Sequence, residues 1–213
     1  MRIGLFGGTF DPPHLGHIEL AKEFYYASNV DLLIIMPSFI PPHKDKSKTS
    51  AGVRLEMARL AFLRLGELGI NYYVSDYEIS KKDTSYTINT VNFLIDKYNT
   101  SDISLCIGSD MLLSFEKWKA SQELMEKCHI YSKARMSGEF SQLCSFAENL
   151  KNKYGAKIHI INESVFEISS TSLRNAALKE SEDADSLLIS KEVLEYIKKN
   201  KIYENFLICT EEN

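Results

Sequence analysis

Short apolar runs alternate along this chain with longer segments whose apolar residues recur three and four positions apart. Runs of the first kind are typical of strands buried on both faces, and segments of the second kind are typical of amphipathic helices. Strands that alternate with helices pair in parallel, with the helices crossing over the faces of the sheet. The pattern therefore predicts an α/β fold with a doubly wound parallel sheet.

The chain has 213 residues, 44% of them hydrophobic, which is enough for one sizeable core. We predict a single domain over 1–213, in which about 165–213 form a small C-terminal helical part. The predicted strands are Ile3–Phe6, Asp31–Pro37, Asn71–Ser75, Asp102–Gly108, His129–Lys133 and Lys157–Ile161. The predicted helices are Gly16–Ala27, Val53–Leu65, Thr87–Tyr98, Glu139–Tyr154 and Lys191–Asn200, and Pro37–Ser50 is predicted to be a polar loop.

Charge and hydropathy exclude several classes of partner. The formal net charge of -4 gives no overall attraction to nucleic acid or to anionic lipid. No apolar run approaches the roughly 20 residues of a membrane span. The four cysteines have no Cys-x-x-Cys spacing and lie in or beside apolar segments, as reduced thiols do. We therefore expect a soluble, cytoplasmic protein without nucleic-acid or membrane partners, and homo-oligomer formation stays open.

The stretch "GLFGGTFDPPHLGH" lies where the first strand turns into the first helix, the usual phosphate site of an open α/β sheet. Gly7 and Gly8 allow the backbone to approach a ligand closely. His14 and His17 are three residues apart, so a helix that begins near His14 presents both imidazoles on one face at its positive end. A tight turn alone would explain the glycines, but a bound anion explains the glycines and the histidine pair together.

A second segment, "EISSTSLRNAALK", follows the last predicted strand and starts another helix. Its serines and Thr171 supply a helix cap, and Arg174 falls in the first turn. A cation there opposes the helix dipole, which costs about 0.3–1 kcal/mol unless an anion is bound. A capped surface helix with an exposed arginine is the alternative for this segment taken alone.

Together these two segments resemble the signatures H-x-G-H and I-S-S-T-x-(I/L)-R of the nucleotidylyltransferase superfamily. With "PPHK", "SYTINT", "GSDML" and Trp118 between them, the chain resembles bacterial nicotinate-nucleotide adenylyltransferases from Met1 to about Tyr203. The resemblance implies a Rossmann-like nucleotidylyltransferase fold. It also implies transfer of the adenylyl group of ATP to nicotinic acid mononucleotide, giving nicotinic acid adenine dinucleotide and pyrophosphate in NAD biosynthesis.

The resemblance also implies which residues bind each substrate. It assigns catalysis to His14, His17 and Arg174, and Mg²⁺ is expected to arrive on the triphosphate rather than in a protein cage. The ATP-binding residues that it implies are Gly7, Gly8, Thr9, Phe10, His14, His17, Lys44, Gly108, Ser170, Thr171 and Arg174. The mononucleotide-binding residues that it implies are Thr9, Ser85, Tyr86, Thr87, Asp110 and Trp118, with the tryptophan stacking on the nicotinate ring.

The sequence departs from the family pattern after the fifth strand, where "SKARMSG" replaces the usual Arg-Pro-Gly. This puts phosphate contacts at Lys133 or Arg135 in question.

Phosphopantetheine adenylyltransferases and cytidylyltransferases share H-x-G-H but lack the Ser-Tyr-Thr, Gly-Ser-Asp and tryptophan set. A dehydrogenase is disfavoured by the glycine spacing, and an aminoacyl-tRNA synthetase by the short chain. A non-catalytic nucleotide-sensing module is the alternative of another class, and the presence of His14, His17 and Arg174 argues against it.

Overall fold

A parallel sheet of six strands lies at the centre of the computed structural model, which describes residues 1–42, 47, 49–134, 138–161, 170 and 188–203. Its strand order is β3-β2-β1-β4-β5-β6, and each neighbouring pair is parallel. The strands are β1 Ile3–Gly8, β2 Leu32–Pro37, β3 Tyr72–Val74, β4 Ile103–Gly108, β5 Cys128–Lys133 and β6 Lys157–Ile161. The predicted doubly wound α/β sheet is confirmed.

Helices connect these strands and cover both faces of the sheet. They are α1 Leu15–Ser28, α2 Ala51–Glu67, α3 Tyr77–Lys81, α4 Thr87–Tyr98, α5 Ser109–Leu113, α6 Ser121–Lys127, α7 Glu139–Tyr154 and α8 Lys191–Lys199, with a 3₁₀ helix at Phe115–Lys117. The longer helices agree with the sequence prediction to within two residues at each end. The three short helices α3, α5 and α6 were not predicted, because five to seven residues are too few to show a helical period.

The core consists of two apolar clusters, one on each face of the sheet. Neighbouring residues of a strand point to opposite faces, so Ile34 belongs to one cluster and Leu33 and Ile35 to the other. The first cluster is completed by α4, α5, α6 and α7, and the second by α1, α2 and α8. Cys106 and Cys128 are both buried in this core.

Of the predicted C-terminal helical part, the structure describes Ser170 and residues 188–203. Helix α8 packs against α2 through Val193 and Ile197, which are both buried. Residues 162–169, 171–187 and 204–213 lie outside the described residues, so the division at about 165 stays a prediction. None of the described helices combines the length and the apolarity that a membrane crossing requires.

The order of the strands places the first strand-to-helix turn at the centre of the sheet. Strand β1 pairs with β2 on one side and with β4 on the other, and the direction of winding reverses between β1 and β4. In open α/β sheets, ligands bind outside the carboxyl ends of the strands at such a reversal. Phe6 is in register with Cys106, so Gly8 and Gly108, each two residues further on, lie at that same end.

Candidate active site

The turn after β1 has an accessible backbone. Gly7 is exposed, whereas the four strand residues before it are buried. A Cβ atom on Gly8 would lie 2.7 Å from the ring of Phe10, so only glycine fits there while that ring keeps its place. Phe10 is itself buried, and its φ of 50° lies in the left-handed region that non-glycine residues rarely adopt. The turn is therefore shaped by backbone and packing rather than by polar side chains.

The two histidines lie together at the start of α1, as predicted. His14 is the N-cap residue, and the ring centroids of His14 and His17 are 3.7 Å apart. Nδ1 of His17 accepts a hydrogen bond from the backbone N–H of His14 at 3.2 Å, the reciprocal contact of a capping box. Because Nδ1 accepts here, the neutral His17 ring carries its proton on Nε2, which is the atom able to donate to an anion.

The two sequence signatures meet in space. The hydroxyl of Ser170 donates a hydrogen bond to the carbonyl of Pro12 at 3.0 Å, across 158 positions of the chain. This contact brings the start of the second segment to the first turn. Thr171, Arg174 and Lys44 lie outside the described residues, so their places in the ATP site stay predictions.

A buried polar cluster that the sequence did not reveal lies beside this turn. Arg54 of α2 donates from Nη1 to the carbonyl of Thr9 at 2.7 Å and from Nη2 to the carbonyl of Phe39 at 3.0 Å. The carboxylate of Asp11 accepts the hydroxyls of Tyr203 at 2.7 Å and Ser47 at 2.6 Å. Burial lowers the pKa of the Arg54 guanidinium below its ordinary value, and the nearby Asp11 and Tyr203 offset only part of that effect.

Residues predicted to bind the mononucleotide lie beyond the carboxyl end of β4. Gly108 ends that strand and is the N-cap of α5, whose first turn carries Asp110 with its side chain exposed. Trp118 follows the 3₁₀ helix and is half-buried, with its ring centroid 4.9 Å from that of Phe115. Trp118 is thus part of the edge of the core, and stacking on a substrate ring stays a prediction.

The start of α4 lies next to the Trp118 segment. Tyr86 is the N-cap of α4, makes no side-chain cap and packs against the same apolar cluster as Trp118. Its backbone N–H donates to the carbonyl of Thr84 at 2.9 Å, so the next donor available to a ligand is the N–H of Thr87. Nζ of Lys119 lies 4.1 Å from the centroid of the Tyr86 ring. Lys119 was not predicted, because a lone exposed lysine carries no signal in the sequence.

Ser85 links this region to the β2–α2 connection. Its hydroxyl accepts the backbone N–H of Phe39 at 2.9 Å and bonds to the carboxyl group of Glu78. The hydroxyl of Thr90 donates to Glu78 at 2.5 Å. These residues border a cleft of about 260 Å³ between α3 and the start of α4. Ser85 therefore positions the loop before α4, and direct contact with the substrate stays a prediction.

The buried carboxyl of Glu78 predicts a pH dependence of stability. Burial raises the pKa of Glu78 above its ordinary value of 4.5, against the opposing effect of the Thr90 and Ser85 hydroxyls. The folded state then holds a proton that the unfolded state releases, so the free energy of unfolding falls as pH rises from the ordinary toward the raised pKa. We expect the free energy of unfolding of the wild type to fall relative to that of Glu78→Gln over that pH range, because glutamine has no proton to release. Denaturant titrations of both proteins measure this difference, and parallel pH profiles would contradict it.

Lys133, at the carboxyl end of β5, is buried and forms an ion pair with Glu23 of α1. This contact ties β5 to the helix that carries the histidine pair. Arg135 lies outside the described residues. The question of phosphate contacts at Lys133 and Arg135 therefore stays open.

Comparisons with known proteins match this chain over most of its length. The model of the cytidylyltransferase-like family matches residues 5–176. A protein of Carboxydothermus hydrogenoformans, named "Probable nicotinate-nucleotide adenylyltransferase", is 33% identical over 95% of this chain and 98% of its own length. A protein of the same name from Clostridium botulinum strain Loch Maree is 34% identical over 94% of this chain and 98% of its own length.

The fold has a counterpart among solved structures. Plasmodium falciparum nicotinic acid mononucleotide adenylyltransferase, complexed with NaAD, superposes with a TM-score of 0.78 over 95% of this chain and 97% of that chain, at 19% identity. That likeness supports the fold, and the sequence relatives support the closer assignment. The chain belongs to the cytidylyltransferase-like family and, within it, to the nicotinate-nucleotide adenylyltransferases.

Proposed function

We propose that this protein transfers the adenylyl group of ATP to nicotinic acid mononucleotide and releases pyrophosphate, a step of NAD biosynthesis in the cytoplasm. The observation that carries the proposal is the histidine pair at the start of α1, beside the accessible Gly7 backbone at the central turn of the sheet. Membership of the nicotinate-nucleotide adenylyltransferases supports the choice of substrates.

The reaction is an in-line displacement at the α-phosphorus of ATP. A phosphate oxygen of the mononucleotide forms the new P–O bond, and the bond from the α-phosphorus to the bridging oxygen of pyrophosphate breaks. A phosphate is already anionic at pH 7, so the protein needs to supply positioning and charge stabilisation rather than a nucleophile. In our proposal His14, His17 and Arg174 stabilise the charge on the phosphates.

In our proposal Mg²⁺ arrives on the triphosphate and is held there by phosphate oxygens and water. The described residues contain no group of three His, Cys, Asp or Glu side chains placed to hold a metal ion. Asp11, the carboxylate of the first turn, accepts hydrogen bonds from Tyr203 and Ser47. Mg²⁺ commonly binds through substrate phosphates and keeps several waters, and it neutralises phosphate charge. The protein's own contribution in this proposal is the pair of imidazoles, Arg174 and the backbone of the turn.

The experiment that tests the proposal measures pyrophosphate release with MgATP and a panel of acceptors. We expect release with nicotinic acid mononucleotide, together with a dinucleotide product identified by chromatography and mass spectrometry. Release with phosphopantetheine alone would assign the protein to another adenylyltransferase. Binding of ATP without release of pyrophosphate for any acceptor would favour a nucleotide-sensing module.

Lys119 is expected to strengthen the preference for a carboxylate. Its ammonium group lies against Tyr86 at the positive end of α4, where the nicotinate carboxylate is proposed to bind. An exposed ion pair contributes about 0.2–1 kcal/mol to binding. Lys119→Met should therefore lower the ratio of kcat/KM for nicotinic acid mononucleotide to kcat/KM for nicotinamide mononucleotide by about 1.5- to 5-fold. Lys117→Met is the matched control, because Lys117 is exposed in the adjoining 3₁₀ helix. Equal ratios in both variants would contradict a role for Lys119.

A further inference from the structure

Arg54 has the largest fully buried side chain among the described residues, with 1% of its surface exposed. It occupies the first position of the apolar stripe of α2, on the face that carries Ala58 and Leu65. Its guanidinium spans two loops at the carboxyl end of the sheet, with one nitrogen on the carbonyl of Thr9 and another on that of Phe39. A planar fork with fixed donors suits such a double contact, and a lysine ammonium does not reproduce it.

The contact with Thr9 sets the orientation of the next peptide bond. In a trans peptide the C=O and the following N–H point in opposite directions. A Thr9 carbonyl that faces Arg54 therefore turns the N–H of Phe10 to the opposite side. Phe10 adopts a positive φ of 50°, and its N–H makes no hydrogen bond to another described residue. A residue in that region needs outside contacts to hold it there.

The two carbonyls do not depend on Arg54 equally. The Phe39–Ile40 segment has further anchors, because the Phe39 N–H donates to the Ser85 hydroxyl and the Ser85 N–H donates to the Ile40 carbonyl, both at 2.9 Å. Within the described part of the chain, the Thr9 carbonyl accepts a hydrogen bond from Arg54 alone. Loss of Arg54 should thus release the Thr9–Phe10 peptide more than the segment that leads to α4.

We propose that Arg54 is a positioning residue for ATP: it holds the Thr9–Phe10 peptide so that the Phe10 N–H faces the triphosphate. Arg54 does not touch the substrate itself. A donor that is already oriented before the substrate arrives costs no reorganisation during the reaction. The inference rests on the ATP-binding part of the proposed function and does not depend on the identity of the acceptor.

The test measures binding of the α,β-methylene analogue of ATP, with Mg²⁺, by calorimetry. In Arg54→Met, which keeps an apolar stem but loses the donors, we expect the Kd to rise at least about tenfold, the scale of losing one hydrogen bond to a charged group. The KM of nicotinic acid mononucleotide should change less than about threefold, because the Phe39–Ile40 segment keeps its Ser85 anchors. Arg54→Lys keeps the buried charge but not the double contact, and it should raise the Kd at least about threefold. If Arg54→Met does not fold, the Kd of Arg54→Lys alone tests the proposal.

Leu150→Ala is the matched control for lost stability. Leu150 is buried in α7, within the cluster on the other face of the sheet from Arg54, and its truncation should lower Tm without changing the Kd of the analogue. A second readout is the ¹⁵N–¹H resonance of Phe10, which should shift with the analogue in the wild type and respond less in the Arg54 variants.

A folded Arg54 variant with the wild-type Kd, or a Kd change shared by Leu150→Ala, would overturn the inference. Wild-type protein that binds the analogue but transfers nothing to the mononucleotide would refute only the proposed reaction, and wild-type protein that does not bind it would refute both.

Discussion

Replacing His17 with alanine is expected to lower turnover by about 10²- to 10³-fold, the scale of removing one preoriented donor from a site of developing charge. The centroid of the His17 ring lies 3.7 Å from that of the His14 ring. Nδ1 of His17 accepts the backbone N–H of His14, so Nε2 is the ring nitrogen that carries the proton. Steady-state rates at saturating MgATP and mononucleotide measure the effect. A variant that keeps near-normal turnover would exclude His17 from charge stabilisation.

The capping contact of His17 requires a control that separates stability from catalysis. Alanine removes the acceptor of the His14 N–H, and loss of a cap costs about 0.5–2 kcal/mol of stability. Glutamine at the same position can accept that N–H, as it does in other capping boxes. We therefore expect His17→Gln to recover most of the Tm lost in His17→Ala while turnover stays low. Recovery of turnover together with Tm would show that His17 acts only as a cap.

Nicotinic acid mononucleotide is expected to exceed nicotinamide mononucleotide in kcat/KM by at least ~10²-fold. The proposed subsite presents donors and positive charge: the start of α4 has no acidic residue in its first turn, and Lys119 lies against Tyr86. A carboxylate accepts from such groups, whereas a carboxamide that presents its oxygen leaves its NH₂ unpaired. An unpaired buried donor costs about 1–3 kcal/mol, and loss of the charge-assisted bonds adds to that.

The two mononucleotides should be compared in parallel at saturating MgATP, with the same preparation of protein. Initial rates at low acceptor concentration give kcat/KM for each. Comparable efficiencies would mean that the pocket also contains an acceptor for the amide, and that the carboxylate does not bind at the start of α4. Transfer to neither acceptor would instead refute the proposed reaction.

The regular elements were predictable because their signals are local. Helices α4 and α7 begin and end at the residues that the apolar period indicates, and β6 has its predicted bounds. The shortest helices carry no such period. Helix α5 has five residues and begins directly after β4, and so short a segment cannot show a helical period. Its formation depends on the packing of Leu112 and Phe115 into the core, which no local pattern reports.

The histidine pair and Arg54 were not equally predictable from the sequence. His14 and His17 are close in the chain, so helical spacing alone places their rings together. Arg54 was not predicted, although an arginine in the first position of an apolar stripe must find polar partners inside the protein. Which partners it finds could not be predicted, since the carbonyls of Thr9 and Phe39 lie 45 and 15 positions away along the chain.

Sequence alone was sufficient for the alternation of strands and helices, the histidine pair at a helix start and the resemblance to the nucleotidylyltransferases. These features depend on side-chain periods and spacings within a few residues, where chain geometry leaves few choices. The tertiary structure decided which distant groups meet: Ser170 on Pro12, Tyr203 on Asp11, and Arg54 between two loops. Buried polar groups must pair, but their partners are chosen by the packing of helices on the sheet, which brings together residues far apart in the chain.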